Sequence, residues 1–373
     1  MNVLIFIAVL VILVIVHEFG HFIVAKLFKI RVEEFGVGYP PRAFTFGKWG
    51  ETEYTLNWIP FGGFVRIFGE DPSAHIDGPE KKRSFLYKPW YVKAAVLIAG
   101  VVFNMAFAVI LFALSASSGA PVTIDEASAL ASKAKVVITQ VYEGSPANVA
   151  EIMAGDIVMR MSAENSKTKT PDTLATITPA TFSEFIASHG GKKVSIDVTR
   201  GIEEKTIELT PAHGVLEGDA GKPAIGVQLG FILKESVPLY QTIGIGFRES
   251  KDWFVDIVGN VVHLVTGAFT GTANIKEISG PVGIAVHVGE WSALGFAYLL
   301  YFTAIISVNL AVINLIPIPA LDGGRLLFVL IEAVIRRDIP LKFAQALNAV
   351  GFGALILLML LVTYNDIFKL VKG

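Results

Sequence analysis

Fourteen apolar residues run without interruption from Val3 to Val16, and the apolar pattern resumes through Phe22-Ile23-Val24-Ala25. About 20 such residues cross the roughly 30 Å hydrocarbon core of a bilayer, so residues 2–25 are predicted to form a transmembrane helix. Three further apolar runs, 92–116, 293–319 and 346–363, are long enough to do the same. Between 32 and 68 the pattern changes from continuous to extended. Alternation in Ala43-Phe44-Thr45-Phe46 and in Tyr54-Thr55-Leu56-Asn57-Trp58, joined by Gly47-Lys48-Trp49-Gly50, predicts a β-hairpin whose aromatic side chains suit the membrane interface.

From 121 to 230 short apolar strands, such as Val136–Val141, Val194–Val198 and Lys205–Leu209, alternate with turn signals, and a polar stretch runs from Ser162 to Thr178. This is the pattern of one small inserted domain. Glu143-Gly144-Ser145-Pro146-Ala147 and Ala154-Gly155-Asp156-Ile157-Val158 resemble the signature of bacterial PDZ domains, with the following helix expected at Thr181–Ser188. Over 238–270, Phe254, Ile257, Val258, Val261, Leu264 and Val265 share a helical face, while Lys251, Asp252, Asp256 and Asn260 interrupt the run. An amphipathic interfacial helix fits better than a fifth span, and His263 reads as an interfacial histidine rather than a metal ligand. The expected fold is a polytopic α-helical membrane protein of about four transmembrane helices. It carries a membrane-associated β-hairpin and an inserted small α+β PDZ-like domain. Its divisions are 1–117 (first half of the membrane domain), 121–230 (PDZ-like), 236–290 (amphipathic, interfacial) and 291–373 (second half).

Composition agrees with the membrane reading: apolar residues make up 53% and charged residues 17%. A formal net charge of -2 leaves no basic excess for nucleic acid. Cysteine is absent, so disulfides and thiolate metal sites are excluded and any metal must be held by His, Asp or Glu. The N-terminal run has no basic residue before it and no small-x-small site after it, so it is expected to be retained rather than cleaved. Residues 26–93 hold eleven Lys or Arg, and Arg325, Arg336, Arg337 and Lys342 follow the third run. The positive-inside rule puts both segments in the cytoplasm, outweighing Lys369 and Lys372 at the other end, and puts the N-terminus and the inserted domain outside a cell inner (plasma) membrane.

The chemistry lies in His17-Glu18-Phe19-Gly20-His21. Residues four apart share a helical face, so His17 and His21 can aim their ring nitrogens at one point. Glu18, about 100° round the helix, is badly placed to be a third ligand but suits a general base. Counting along the helix puts His17 roughly 24 Å into the core, nearer the far leaflet. A polar trio buried there without partners would cost several kcal/mol, which favours a metal site over a packing role. A catalytic zinc needs a third protein ligand at the same depth and an open position. Asp322, in the segment Asn314-Leu315-Ile316-Pro317-Ile318-Pro319-Ala320-Leu321-Asp322-Gly323-Gly324, is the carboxylate near the cytoplasmic end of an apolar span. Pro317 and Pro319 are expected to end the helix there, and the two glycines to allow unusual dihedrals beside the ligand. The competing reading of Asp322 is a helix-end cap. Glu332 and Asp366 rank below it, as partners of nearby cations or water.

At these residues the chain resembles the site-2 protease family of intramembrane zinc metalloproteases, in its bacterial branch of the regulator-of-sigma-E-protease type. The resemblance covers nearly the whole chain. It rests on HEFGH, Phe35-Gly36-Val37-Gly38 with Pro40 and Pro41, Ile59-Pro60-Phe61-Gly62-Gly63, Gly100 with Asn104, Ser279-Gly280-Pro281-Val282-Gly283, and NLIPIPALDGG. It implies one zinc ion held by His17, His21 and Asp322, Glu18 as the catalytic glutamate, and Asn314 as a residue that holds substrate. Two departures stand out: the insert has room for one PDZ domain where many relatives carry two, and Gly100-Val101 replaces a family Gly-Pro.

The expected activity is peptide hydrolysis within the bilayer on single-pass transmembrane proteins, such as anti-sigma-factor-like regulators or remnant signal peptides. The PDZ-like domain is expected to contact the substrate or its partner, as a size filter or a tail binder. Two other classes fit parts of the pattern. Intramembrane His, Glu and Asp also line ion paths in metal-binding transporters, but inverted repeats and paired broken helices are missing. A non-catalytic PDZ scaffold would have no use for Glu18.

Overall fold

The computed structural model describes residues 2–70, 76–120, 122–124, 135–142, 144–163, 172–174, 176–200, 203–213, 222–233, 238–271, 280–337 and 339–372. Glu143, Ser279 and, within the polar stretch, residues 164–171 and 175 lie outside them. The chain forms two compact units, residues 1–115 with 239–373, and residues 116–238.

In the first unit, α1 (Asn2–Leu27) and α2 (Trp90–Ser117) are joined by a two-stranded ribbon, β1 (Val32–Trp49) and β2 (Thr52–Ile67). α5 (Leu239–Thr270), α6 (Pro281–Ala293), α7 (Phe296–Leu315), α8 (Asp322–Ile335) and α9 (Leu341–Lys372) follow the insert. Among the described residues four helices are long and apolar enough to cross a membrane: Val3–Leu27, Trp90–Ser117, Phe296–Leu315 and Lys342–Lys369. This is a membrane protein whose third crossing is shorter than the sequence pattern suggests. The helix there starts only after Gly295, at φ +122, and stops at Leu315, ahead of Pro317 and Pro319.

The ribbon is longer than the predicted hairpin and turns at Gly50-Glu51, where Trp49 pairs with Thr52. Gly47 lies inside β1 at a register shift, so the Gly47–Gly50 stretch is not itself the turn. The first half of β1 is flanked twice: Val32–Val37 pairs with Gly63–Ile67, and Glu34–Val37 also runs beside Glu53–Leu56 with both numbers rising together. The second half, Arg42–Trp49, pairs with Thr52–Asn57. Glu34, 3% exposed, locks these segments. It accepts from Arg42 Nη2 at 2.9 Å and Thr55 Oγ1 at 2.8 Å, and Arg66 Nη2 lies 3.0 Å from its other oxygen. A carboxylate can be buried only when paired in this way.

α5 is a single helix whose apolar stripe meets protein as well as its surroundings. Trp253, Phe254, Ile257, Val258 and Val261 pack with Ala108, Leu111 and Phe112 of α2 and Ala304 and Val308 of α7. Part of this stripe is thus covered by two of the spans. Asp366, ranked low as a metal ligand, instead accepts from the backbone N–H groups of Gly280 (3.2 Å) and Gly283 (2.7 Å) and so ties the start of α6 to α9. Glu332 accepts from the Ile339 backbone N–H at 3.1 Å. Neither pairs with a cation among the described residues.

The second unit is a seven-stranded sheet. Its order is β3 (Val122–Ile124), β9 (Val227–Leu233), β4 (Lys135–Val141), β5 (Ile157–Ala163), β7 (Val194–Arg200), β8 (Glu203–Leu209), with β6 (Asp172–Leu174) on β5. Among the described residues two helices complete it, α3 (Pro146–Val149) and α4 (Pro179–Ser188). A Thr178/Thr181 capping box opens α4, which buries Phe182, Phe185 and Ile186. Asp156 enters β5 after Gly155, at φ +95, with its carboxylate fully buried. Burial pushes that carboxyl up, but the bidentate Arg200 guanidinium (2.7 and 2.8 Å) and the Met153 N–H (3.0 Å) outweigh it and hold the group below the usual carboxylate range. A depressed folded-state value means the pair stabilises fully above the ordinary carboxylate range and is lost as pH falls through the folded value. Arg200→Met is expected to destabilise this unit by roughly 3 kcal/mol at neutral pH, with the difference from wild type shrinking in acid. Thermal unfolding followed from neutral pH down to about pH 3 checks both points.

Candidate metal centre

His17, Glu18 and His21 sit about two-thirds along α1. His17 is 6% and His21 7% exposed. The third element arrives from the far end of the chain. After α7 stops, the backbone turns through Ala320, at φ +82, and restarts as α8 with Asp322 in its first turn. Asp322 makes no cap to its own helix. Its Oδ2 lies 2.9 Å from His17 Nε2 and 3.2 Å from His21 Nε2, and the two Nε2 atoms are 3.2 Å apart. Among the described residues this trio is the one group of three or more His, Asp or Glu close enough to share a metal ion.

The donors fit zinc. Tetrahedral bonds of about 2.0–2.1 Å hold N and O ligands roughly 3.3 Å apart, close to the triangle seen here. Two imidazoles and a carboxylate are also a donor set that leaves a fourth position open, as catalytic sites require.

Gly323 and Gly324 serve a different purpose from the one expected. Both take helical backbone in α8, and their lack of a side chain permits close approach. A Cβ on Gly323 would lie 2.4 Å from the carbonyl oxygens of Leu315 and Ile316, and one on Gly324 2.2 Å from that of Ile318. The strained dihedral belongs instead to Ala320. The glycines let α8 fold back over the end of α7, which brings Asp322 to the histidines.

α2 forms the floor of the site. A Cβ on Gly100 would stand 2.5 Å from both His17 Cε1 and His21 Nε2. Val96, one turn earlier, accepts from His21 Nδ1 through its carbonyl at 2.7 Å. That contact leaves His21 Nε2 bare for a metal. Gly20 lets α1 and α2 touch, since a Cβ there would lie 2.5 Å from the Ala99 carbonyl oxygen. Glu18 is partly buried against β2. The Val65 backbone N–H of β2 lies near its carboxylate.

Asn314 lies half-buried in the last turn of α7, with no side-chain hydrogen bond to the described residues. Sequence reasoning noted Gly100 and Asn104 only as a motif. Asn104 is fully buried, with its amide 3.2 Å from His17 Nδ1. Their spacing of four on α2, the same as that of the two histidines on α1, was the signal that both face one point.

In the inserted unit, a groove of about 440 Å³ runs between α4 and the start of β9, lined by residues that include Phe182, Ile186, Lys222, Gly226 and Leu229. β9 pairs with β4 from Val227 onward, whereas β3 joins its other edge only at Phe231–Leu233. Among the described residues no strand pairs with that edge at Val227–Gly230, and Val227 and Leu229 line the groove.

Residues 5–359 match the family model described as Peptidase family M50. The chain is 36% identical over 357 residues to a Clostridium perfringens protein provisionally named a zinc metalloprotease, covering 95% of both chains. It is 28% identical over 439 residues to the zinc metalloprotease RasP of Geobacillus kaustophilus, covering 98% of this chain and 97% of that one. A Fusobacterium nucleatum protein, again provisionally named a zinc metalloprotease, is 31% identical over 376 residues, 99% of each. With a family match that runs from the first apolar span into the last, the chain belongs to peptidase family M50, the site-2 proteases.

Proposed function

We propose that this chain is an intramembrane zinc metalloendopeptidase. It cuts transmembrane segments of single-pass proteins, such as anti-sigma-factor-like regulators or remnant signal peptides, in regulated intramembrane proteolysis. The observation that carries the reading is the convergence of His17 and His21, from the first apolar span, with Asp322, from the start of α8 just after the third, and with Glu18 next to His17 on α1. The eleven Lys and Arg between 26 and 93 support a site near the cytoplasmic leaflet and an extracytoplasmic insert.

Zinc held by these three side chains supplies Lewis acidity for attack on the scissile carbonyl. Glu18 takes the proton of the attacking water and later delivers it to the leaving amine. The Val65 N–H of β2 beside it helps to place the carboxylate for this work. A helical substrate hides its amides, so it must unwind before it can be cut. The strand edges of the ribbon offer backbone pairing to the unwound stretch, and Asn314, with its amide uncommitted, suits a hold on substrate backbone. Phe44, Phe46, Trp49 and Trp58, all exposed, are suited to anchoring the ribbon at the membrane surface. In the insert, the groove between α4 and the start of β9, whose edge there is unpaired among the described residues, suits an extended peptide end, which supports a PDZ-like role in selecting shortened substrates.

The test is cleavage of a single-span peptide by the purified protein in liposomes, with products identified by mass spectrometry. The expected cut lies within the span, stops on addition of a zinc chelator and returns with zinc. Cuts confined to the soluble flanks, or cutting that persists after chelation, would refute the proposal.

A further inference from the structure

The two histidines are treated alike at Nε2 and differently at Nδ1. For Nε2 to bind a metal it must carry a lone pair, so the proton of each neutral ring belongs on Nδ1, where it needs an acceptor. His21 has one, the Val96 carbonyl at 2.7 Å. His17 Nδ1 faces the amide of Asn104 at 3.2 Å, and the atom placed towards it is the nitrogen. An amide N–H cannot accept the ring proton. It would donate to Nδ1 and move the ring proton to Nε2, the position that faces Asp322 and His21.

The other end of the same amide is unsatisfied: Asn104 Oδ1 is buried and lacks a hydrogen-bond partner among the described residues. One half-turn about the Cβ–Cγ bond, which exchanges two atoms alike in size, turns the amide oxygen to His17 Nδ1–H and gives both that oxygen and the ring proton a partner. We propose that Asn104 is a positioning residue that presents its carbonyl oxygen to His17 Nδ1–H and so holds His17 in the tautomer whose Nε2 is free for zinc. This inference rests on the zinc site proposed above.

Asn104 is itself held firmly. It is fully buried, and its main-chain carbonyl accepts from Ser307 Oγ of α7 at 2.8 Å, a hydroxyl that is fully buried too. The residue therefore joins α1, through His17, to α7, which delivers Asp322. Outer-shell acceptors of this kind set the ring orientation and basicity of a ligating histidine, and their loss typically weakens metal affinity about 10–100-fold.

The test compares full-length wild type, Asn104→Leu, Asn104→Ala, Asn104→Asp and His21→Ala in detergent, with zinc affinity measured by competition against a chelator of known affinity. Asn104→Leu and Asn104→Ala, which lack an acceptor, are expected to weaken zinc about 10–100-fold, and Asn104→Asp, which keeps one, to stay within about threefold of wild type. The paired Ala and Leu variants guard against one of them failing to fold. Wild-type affinity in either would overturn the proposal, and so would an equal loss in Asp and Leu, which would mean that shape rather than the acceptor matters. His21→Ala separates the levels: undiminished zinc there would refute the metal site itself, whereas lost zinc there beside an unaffected Asn104→Leu would refute only the role of Asn104.

Discussion

Adding one methyl group at Gly100 is expected to strip the protein of zinc. In Gly100→Ala the new Cβ would stand 2.5 Å from His17 Cε1, 2.5 Å from His21 Nε2 and 2.7 Å from His17 Nε2. Retreat of α2 would pull the Val96 carbonyl away from His21 Nδ1, the contact that orients that ring. The imidazoles must therefore move by the better part of an ångström, whereas metal–ligand distances tolerate about 0.2 Å. Overpacking of this kind costs about 1–3 kcal/mol, which a membrane domain of this size absorbs without unfolding. The expected result is a folded protein whose zinc affinity falls at least about 100-fold, read by chelator competition, with cleavage lost in parallel. Wild-type affinity in this variant would mean that the histidines do not share a metal over Gly100.

Glu18→Gln and Asp322→Ala are expected to fail in different ways. Glu18 points to β2 and takes no part in the donor triangle, so its amide should leave the zinc content at the wild-type level. Cleavage of a transmembrane peptide should fall on the order of 10²–10⁴-fold, the usual contribution of a general base. Asp322→Ala removes a donor that touches both histidines, at 2.9 and 3.2 Å, and should lose metal and cleavage together. Retained cleavage in Glu18→Gln would refute its assignment as the base.

The site was legible in the sequence where it obeys a simple period. His17 and His21 are one helical turn apart, so their convergence follows from helix geometry alone. Asp322 lies 305 residues from His17, yet matching the depths of two apolar spans brought the two to one level. What stayed hidden depends on who meets whom. The buried face of β1 carries Glu34, Gly36 and Gly38, so its alternation is not one of hydrophobic residues. Glu34 is tolerable there only because Arg42, Thr55 and Arg66 reach it from three other segments. Gly36 is needed because Phe64 lies where its Cβ would be, 2.5 Å from the ring. Gly323 and Gly324 read as conformational freedom and turned out to be space for α8 to cross α7. The role of Asn104 was hidden for a similar reason, since nothing in α2 alone announces a histidine from α1.

A metal site split between the first apolar span and the turn after the third is read from zinc per chain in Asp322→Ala, purified beside Glu18→Gln under the same chelator. A split site predicts zinc in Glu18→Gln at the wild-type level and almost none in Asp322→Ala. Zinc retained in Asp322→Ala at the wild-type level would contradict it, and would leave the two histidines to find their third ligand elsewhere.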